Sequence, residues 1–460
     1  MIRVFSHWIH WKTIIQVILD VVFPVACVAL AALFFDSNEQ TSLKTVVIYA
    51  SIYAFVMAMF SSWLGLYSRS HGRTVEQSRA RAVLSLYLSV PIAYCVFALL
   101  SIADANRELL LLSALAALLG TLMHRVYAIH SRAGGLLTRR VLIFGSGPEA
   151  RTVGKVLKKS DPDVQVVGYY PGASETEICA PEQLLLPRSR SLSDTAYALN
   201  VDEIIIAVQE RRGGALPLRD LLDCKLAGVN VLDLASYFER TLGQIRLDSL
   251  KVGWLIFGEG FRQGWLRSFV KRAFDIVAAS IQLVAALPVM LVTALLIVVE
   301  DGFPIFYRQE RVGLNGRLFK VIKFRSMRRD AEKDGKARCA TAHDDRTTRV
   351  GRIIRKVRID ELPQIVNVLV GDMSLVGPRP ERPYFVDKLT RDIPFYAVRH
   401  SVKPGVTGWA QVSYHYGASV DDSIQKLQYD LYYVKNHTLF LDIVILFETV
   451  GVVLTCRGAH

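Results

Sequence analysis

Residues 273–299 read Ala273-Phe-Asp-Ile-Val-Ala-Ala-Ser-Ile-Gln282 and continue, almost wholly apolar, to Leu296-Ile-Val-Val299. Length alone is enough for a helix to cross about 30 Å of hydrocarbon. Three features argue against a simple crossing. Pro288 sits mid-run, where it removes a helical hydrogen bond and favours a bend. Asp275 and Gln282 are costly in lipid. Both flanks are basic, with Arg262, Arg267, Lys271 and Arg272 before and Arg308, Arg311, Arg317 and Lys320 after. A spanning helix would put one of these clusters on the wrong face. A re-entrant helix that bends at Pro288 and returns to its face of entry satisfies both flanks; a spanning helix is the alternative.

Upstream, four apolar runs occupy about 13–35, 45–67, 82–102 and 108–129. Each is near the length of a membrane helix, and the first lacks the cleavage site of a signal peptide. Loops rich in arginine (Arg69, Arg73, Arg79, Arg81; Arg132, Arg139, Arg140) alternate with poor ones. Residues 1–135 are therefore expected to form a four-helix transmembrane bundle with both ends cytoplasmic. Core helices of a large soluble protein are the bland alternative. The 460-residue composition is 52% hydrophobic, which excludes a disordered or collagen-like chain. A net charge of +13 suits nucleic acid, an anionic membrane surface or phosphorylated substrates. Six scattered cysteines give neither a disulfide framework nor a zinc spacing.

Between the apolar parts, Val141-Leu-Ile-Phe-Gly-Ser-Gly147 runs as a strand into a glycine turn, and Gly145-x-Gly147-x-x-Ala150 opens a helix through Leu157. Further strands are expected at 165–170, 201–208 and 229–232, with a helix near 217–227. Residues 138–255 thus predict a Rossmann-like α/β domain. Gly145 and Gly147 are weak candidates for cofactor binding. The second strand ends Gly168-Tyr-Tyr-Pro-Gly172, without the carboxylate that holds a ribose, so a structural or dimerising role is favoured over a bound nucleotide.

From residue 304 the chain is dense in polar motifs. Tyr307-Arg-Gln-Glu-Arg-Val-Gly313, Lys323-Phe-Arg-Ser-Met327 and Asp344-Asp-Arg-Thr347 lead to Gly351-Arg-Ile-Ile-Arg355 and Asp360-Glu-Leu-Pro-Gln364. Gly371-Asp-Met-Ser-Leu-Val-Gly-Pro-Arg-Pro380 and Lys403-Pro-Gly-Val-Thr-Gly-Trp-Ala-Gln411 follow. A basic stretch by itself reads as a solvated face or lipid patch. Here an adjacent carboxylate pair lies among the cations, just before Pro363, which suits a first helical position. A helix N-terminus there could hold a phosphate beside Asp360 and Glu361. The last apolar stretch, 438–455, carries Asp442 and Glu448 and reads as a packed or interfacial helix.

On these motifs, residues from about 268 onward resemble the bacterial sugar transferase family, the monotopic phosphoglycosyl transferases. The whole layout resembles its large three-part members, which start exopolysaccharide or O-antigen repeat units, with a catalytic domain over 262–460. Val201-Asp-Glu-Ile-Ile-Ile-Ala with Arg211-Arg-Gly-Gly resembles the exopolysaccharide branch in particular. The resemblance implies transfer of sugar-1-phosphate from a UDP-sugar, glucose before galactose, to undecaprenyl phosphate with release of UMP. It implies a covalent phosphosugar on Asp360 and a Mg²⁺ ion held with the help of Glu361. It places Arg355 and Arg379, with Lys323 and Arg325, near phosphates. Pro288 matches the family's kink, although Leu287 stands where the family usually has serine. It further implies a homodimer among membrane lipids, in the bacterial inner membrane with the catalytic domain cytoplasmic, and no nucleic-acid partner.

Elementary electrostatics agrees with that implication. A carboxylate approaching a diphosphate is repelled by about 4 kcal/mol per pair of unit charges at about 4 Å and an effective dielectric near 20. Such a site needs cations. A membrane-tethered NAD-dependent sugar-nucleotide dehydratase would explain the glycine turn, but its Tyr384-x-x-x-Lys388 lies about 240 residues after Gly145, too far for one compact domain. A nucleotide-sensing scaffold would not need the carboxylate pair and its arginines.

Overall fold

A computed structural model describes residues 2–4, 7–9, 11–35, 43–63, 84, 85, 89, 138–160, 164–172, 175, 177–208, 216–247, 260, 264–328, 346–414 and 419–454. Its contacts divide the chain into two compact units, one of Met1–Ile2 and Ile9–Leu242, the other of Arg3–Trp8 and Gly243–His460. Helix predominates over strand among the described residues.

The short strands β1 (Ile2–Val4) and β2 (His7–Ile9), most of whose residues belong to the Arg3–Trp8 segment of the second unit, precede helices α1 (Trp11–Phe35) and α2 (Leu43–Trp63) of the first unit. These helices coincide with the first two apolar runs. At 1.5 Å per residue, their 25 and 21 residues extend about 37 and about 31 Å. The third and fourth runs lie outside the described residues, apart from 84, 85 and 89, as do Arg211-Arg-Gly-Gly and most of the basic loops.

The rest of this unit is a four-stranded parallel sheet in the order β4 (Val164–Tyr170), β3 (Arg139–Phe144), β5 (Glu203–Ile206), β6 (Asn230–Asp233). Strand β3 is central and near-continuously apolar because both of its faces are covered. Val141 and Ile143 point to one cluster, built with Ala150, Val153 and Leu157 of α3 (Pro148–Ser160). Leu142 and Phe144 point to the other, with Leu192 and Ala196 of α4 (Leu192–Ala198) and Leu221 and Cys224 of α5 (Leu218–Leu226). Helix α6 (Leu234–Leu242) adds Tyr237 and Phe238 to the first cluster.

The second unit opens at Gly243. Ile245 and Leu247 belong to its core, so contacts place 243–247 here, whereas sequence alone assigns them to the domain ending at 255. Its dominant element is α7 (Trp265–Asp301), a 37-residue helix apolar and long enough to cross a membrane. Pro288 lies inside α7 without ending it. Asp275, Ala279, Thr293 and Ile297 form a buried stripe, while Ile281, Val284, Leu291, Leu295 and Val299 on other faces are exposed. Both ends of the helix are tied to the same unit. Near its start, Arg272 donates to the carbonyls of Val368 and Leu369 at 2.6 and 2.7 Å, and Asp275 accepts from the Leu375 N–H at 3.2 Å. At its end, Glu300 accepts from the N–H groups of Arg349 and Val350 at 2.7 and 2.9 Å.

An antiparallel hairpin of β7 (Phe306–Val312) and β8 (Leu318–Phe324) follows. Then come α8 (Arg349–Lys356), α9 (Gln364–Val370), β9 (Ser374–Val376), α10 (Pro383–Asp392), β10 (Gly405–Thr407), α11 (Trp409–Ser413), α12 (Val420–Asn436) and α13 (Leu439–Leu454). Strands β9 and β10 pair in parallel. Glycine is required at the crossing, since a Cβ on Gly377 would overlap the Lys403 carbonyl and one on Gly408 the Gly377 carbonyl. Two motifs far apart in sequence are thus one packed pair of backbones.

Helix α12 starts with a capping box between Ser419 and Asp422 and buries Leu427, Leu431, Tyr432 and Tyr433. Helix α13 packs on the same core through Leu441 and Ile445. Its Asp442 is an internal charge, 2.6 Å from the Lys271 ammonium and accepting from the Tyr433 hydroxyl at 2.7 Å. Removing one member of a buried pair strands the other. Asp442→Asn is therefore expected to cost about 3 kcal/mol of stability, seen as a lower midpoint of thermal unfolding of the purified protein.

Candidate active site

The hairpin, α8 and α9 converge on the carboxylate pair. Asn367 of α9 fixes the hairpin: its Oδ1 accepts from the Ile322 N–H at 3.0 Å and its Nδ2 donates to the Lys320 carbonyl at 2.8 Å. A buried side-chain amide thereby supplies strand-like bonds and sets Lys323 beside the dyad. Helix α8 is capped by Thr348, whose hydroxyl accepts from the Gly351 N–H at 2.8 Å. After its end at Lys356 the chain reverses through Arg358, a non-glycine residue in the left-handed region (φ 61°). That conformation costs about 1 kcal/mol or more for an L-residue. It leads into the 3₁₀ turn Ile359–Glu361, and Gly371, at φ 106°, terminates α9.

Glu361 is clamped. One oxygen, Oε1, accepts from the Lys323 ammonium and the Arg379 guanidinium, each at 2.9 Å. The other, Oε2, lies 3.5 Å from Arg358. Burial alone would raise the pKa of Glu361, but Arg379, Lys323 and Arg358 outweigh it and hold the carboxyl well below its usual range. Asp360 has the opposite character. Among the described residues no hydrogen bond or ion pair reaches its carboxylate. Burial and then the adjacent Glu361 charge push its pKa up to about 6, against the pull of Lys323, Arg355 and Arg379. Two neighbouring carboxylates thus differ sharply: one is locked by three cations and the other is uncommitted.

The residues singled out from sequence divide in the structure. Asp360, Glu361, Lys323, Arg355 and Arg379 come together. The Arg355 guanidinium, whose charge reaches Asp360, makes no hydrogen bond to another described residue. Arg325 does not join them. It is buried, donates to the carbonyls of Asp301 and Gly302 at 2.9 and 2.7 Å, and lies 3.1 Å from the Asp301 carboxylate. It secures the C-terminal end of α7. Arg358 and Asn367 are part of the site without having been expected; only a folded turn and a folded hairpin reveal them.

At the glycine turn of the first unit, the N–H groups that would cradle a phosphate are already used. Glu175 accepts from the N–H and hydroxyl of Ser146 at 2.6 and 2.8 Å, from Gly147 N–H at 3.2 Å and from Gly172 N–H at 3.0 Å. A Cβ on Gly145 would press on the Ala207 carbonyl and on Glu175. Gly145 and Gly147 therefore face a carboxylate of their own chain, and a nucleotide phosphate would have to displace it.

The stretch that carries this dyad and α7 is also the stretch that matches known proteins. Residues 266–456 match the family described as bacterial sugar transferase. A UDP-N-acetylgalactosamine-undecaprenyl-phosphate N-acetylgalactosaminephosphotransferase of Aeromonas hydrophila is 46% identical over 242 residues, covering 53% of this chain and 56% of that protein. A UDP-glucose:undecaprenyl-phosphate glucose-1-phosphate transferase of Caulobacter vibrioides is 42% identical over 193 residues, 41% of this chain and 72% of that protein. An uncharacterized sugar transferase of Bacillus subtilis is 42% identical over 189 residues, 41% of this chain and 89% of that protein. The chain spans just over half the length of the Aeromonas relative and 36% and 39% of two glucose-phosphate transferases, from Komagataeibacter xylinus and Escherichia coli. The shared region contains the dyad, both arginines and α7, and on it the chain belongs to the bacterial sugar transferase family.

Proposed function

We propose that this protein is a phosphoglycosyl transferase that moves sugar-1-phosphate from a UDP-sugar to undecaprenyl phosphate. The observation that carries the reading is the asymmetry of the dyad: an uncommitted Asp360 beside a Glu361 held by Lys323, Arg379 and Arg358. Asp360 attacks the sugar-bearing phosphorus; the bond to the UMP oxygen breaks and an aspartyl phosphosugar forms. An oxygen of the lipid phosphate then attacks the same phosphorus, Asp360 leaves as carboxylate, and a polyprenyl-diphosphate-sugar results. One phosphate anhydride is exchanged for another, so no ATP is consumed. Splitting the transfer lets a water-soluble donor and a membrane acceptor use the site in turn. Arg355 and Arg379 hold the phosphates through that exchange.

The donor set fits a magnesium ion on one condition. Magnesium takes one or two carboxylates and fills its shell with water and substrate phosphate oxygens. Among the described residues no group of three or more His, Cys, Asp or Glu forms a protein-only cage. Glu361, with Asp360 beside it, would hold the ion once Lys323 and Arg379 turn from Glu361 to phosphate oxygens. Bound there, Mg²⁺ would neutralise diphosphate charge and ease departure of UMP.

Helix α7 is the proposed membrane element. It is fastened to one catalytic unit at both Arg272 and Glu300, which supports re-entry at Pro288 rather than a straight crossing that would part these two points by about 42 Å and put them on opposite faces. Together with α1, α2 and the two apolar runs at 82–102 and 108–129, it gives a multi-pass protein of the bacterial inner membrane with the site facing the cytoplasm. A Rossmann-like middle domain, its glycine turn filled by Glu175, serves assembly, in keeping with a homodimer. The product would begin an exopolysaccharide or O-antigen repeat unit.

Sequence alone favours glucose as the sugar. The longest and most identical of the matches above acts on UDP-N-acetylgalactosamine by its name, and that donor moves ahead in the proposal. UMP release should be measured with UDP-N-acetylgalactosamine, UDP-glucose and UDP-galactose, each with undecaprenyl phosphate and Mg²⁺. We expect the first to be turned over at least about tenfold faster, since hydrogen bonds to an acetamido group discriminate strongly. Release with none of them would overturn the transferase reading.

A further inference from the structure

Arg379 can meet Glu361 only if its loop is held in place, and that loop is irregular backbone between β9 and α10. Irregular backbone leaves carbonyls that must find donors elsewhere. Two arginines supply them from beneath. Arg399, in the 3₁₀ turn Tyr396–Ser401, is buried and donates through Nη2 to the Arg379 carbonyl at 2.9 Å. Arg311, near the end of β7, donates to the next carbonyl, that of Pro380, at 3.1 Å.

Arg399 is itself tightly constrained. Its Nη2 lies 2.8 Å from Oδ2 of Asp430, a buried residue of α12, and its Nη1 donates to the Tyr396 hydroxyl at 2.7 Å. The guanidinium also lies 5.2 Å from the centre of the Tyr396 ring. As a source of stability a buried ion pair is poor, because desolvation offsets the attraction. What a guanidinium offers that packed apolar groups cannot is a rigid planar fork aimed at one acceptor.

We infer that Arg399, oriented by Asp430 and Tyr396, is a positioning residue for Arg379. It fixes the Gly377-Pro-Arg-Pro380 backbone so that the Arg379 guanidinium is aimed at Glu361 and at the donor diphosphate. Arg399 touches no reacting atom. The inference rests on the transferase reading above.

The test is a set of double-mutant cycles on the full-length protein. Arg399→Lys, Asp430→Asn and Tyr396→Phe are each made in the natural background and in Arg379→Ala, and kcat and KM for the UDP-sugar are measured by UMP release. In the natural background Arg399→Lys is expected to lower kcat about tenfold and raise KM about threefold, with Tyr396→Phe, which removes one hydroxyl and leaves the pair, giving about a threefold loss in kcat/KM. In the Arg379→Ala background the same changes should cost less than about twofold, because the group they position is gone. A purely structural role would lower kcat through the folded fraction, leave KM unchanged and cost the same in both backgrounds. Equal losses in the two backgrounds, or an unchanged KM in all three variants, would overturn the inference. A natural protein that releases UMP from no UDP-sugar would instead remove the reading on which it rests.

Discussion

Asp360→Asn is expected to abolish UMP release, by at least about 10⁴-fold, while leaving the protein folded. The substitution keeps size and shape and removes only the charge of the proposed nucleophile. Because no hydrogen bond or ion pair with a described residue depends on that carboxylate, and because its ionised form is disfavoured by burial and by Glu361, losing the charge should not destabilise the site. A lowered unfolding midpoint together with the lost activity would indicate a structural role for Asp360. Full activity would refute covalent catalysis through this residue.

Glu361→Gln should fail differently. The native carboxylate balances Lys323, Arg379 and Arg358. A neutral amide leaves three cations facing one another and weakens the proposed Mg²⁺ ligand. We expect kcat to fall about 10²- to 10³-fold, the cost of losing a preorganised charge. We also expect the Mg²⁺ concentration for half-maximal rate to rise about tenfold or more. The metal titration is the discriminating readout, since Asp360→Asn should show no turnover at any Mg²⁺ concentration. An unchanged Mg²⁺ requirement in Glu361→Gln would move the metal to other ligands.

The parts of the fold with a local signature were legible in the sequence. Strand β3 reads as apolar because it is covered on both faces, and α7 reads as a membrane element because its exposed face carries Ile281, Val284, Leu291 and Leu295. The dyad and Arg379 stand out because an adjacent carboxylate pair among arginines has little structural reason to exist. What was not legible depends on long-range placement. Arg325 lies two residues from Lys323, yet β8 sends Lys323 to Glu361 and the following residue pair back to the end of α7. Nothing in the composition of that motif distinguishes the two. Arg358 holds Glu361 only because the chain turns left-handed there, a conformation that sequence does not assign to arginine. For the glycine turn, a ribose-binding carboxylate would be expected at the end of the second strand, which ends Gly168-Tyr-Tyr-Pro-Gly172. The carboxylate that matters, Glu175, sits three residues beyond Gly172 and fills the turn itself. The start of the second unit at Gly243 follows from Ile245 and Leu247 joining a core whose other members come from α7 or from Val312 onward.

Those placements leave one carboxylate committed to cations and one uncommitted, and the bond to phosphorus proposed for the second can be read directly. The full-length protein is mixed with UDP-sugar and Mg²⁺ in the absence of undecaprenyl phosphate, quenched, digested and examined by mass spectrometry. The account predicts a hexose- or N-acetylhexosamine-phosphate adduct on the peptide containing Asp360, localised to that residue, absent from Asp360→Asn and discharged when lipid phosphate is added before the quench. An adduct on any other residue, or UMP release to the lipid acceptor at full rate from Asp360→Asn, would contradict it.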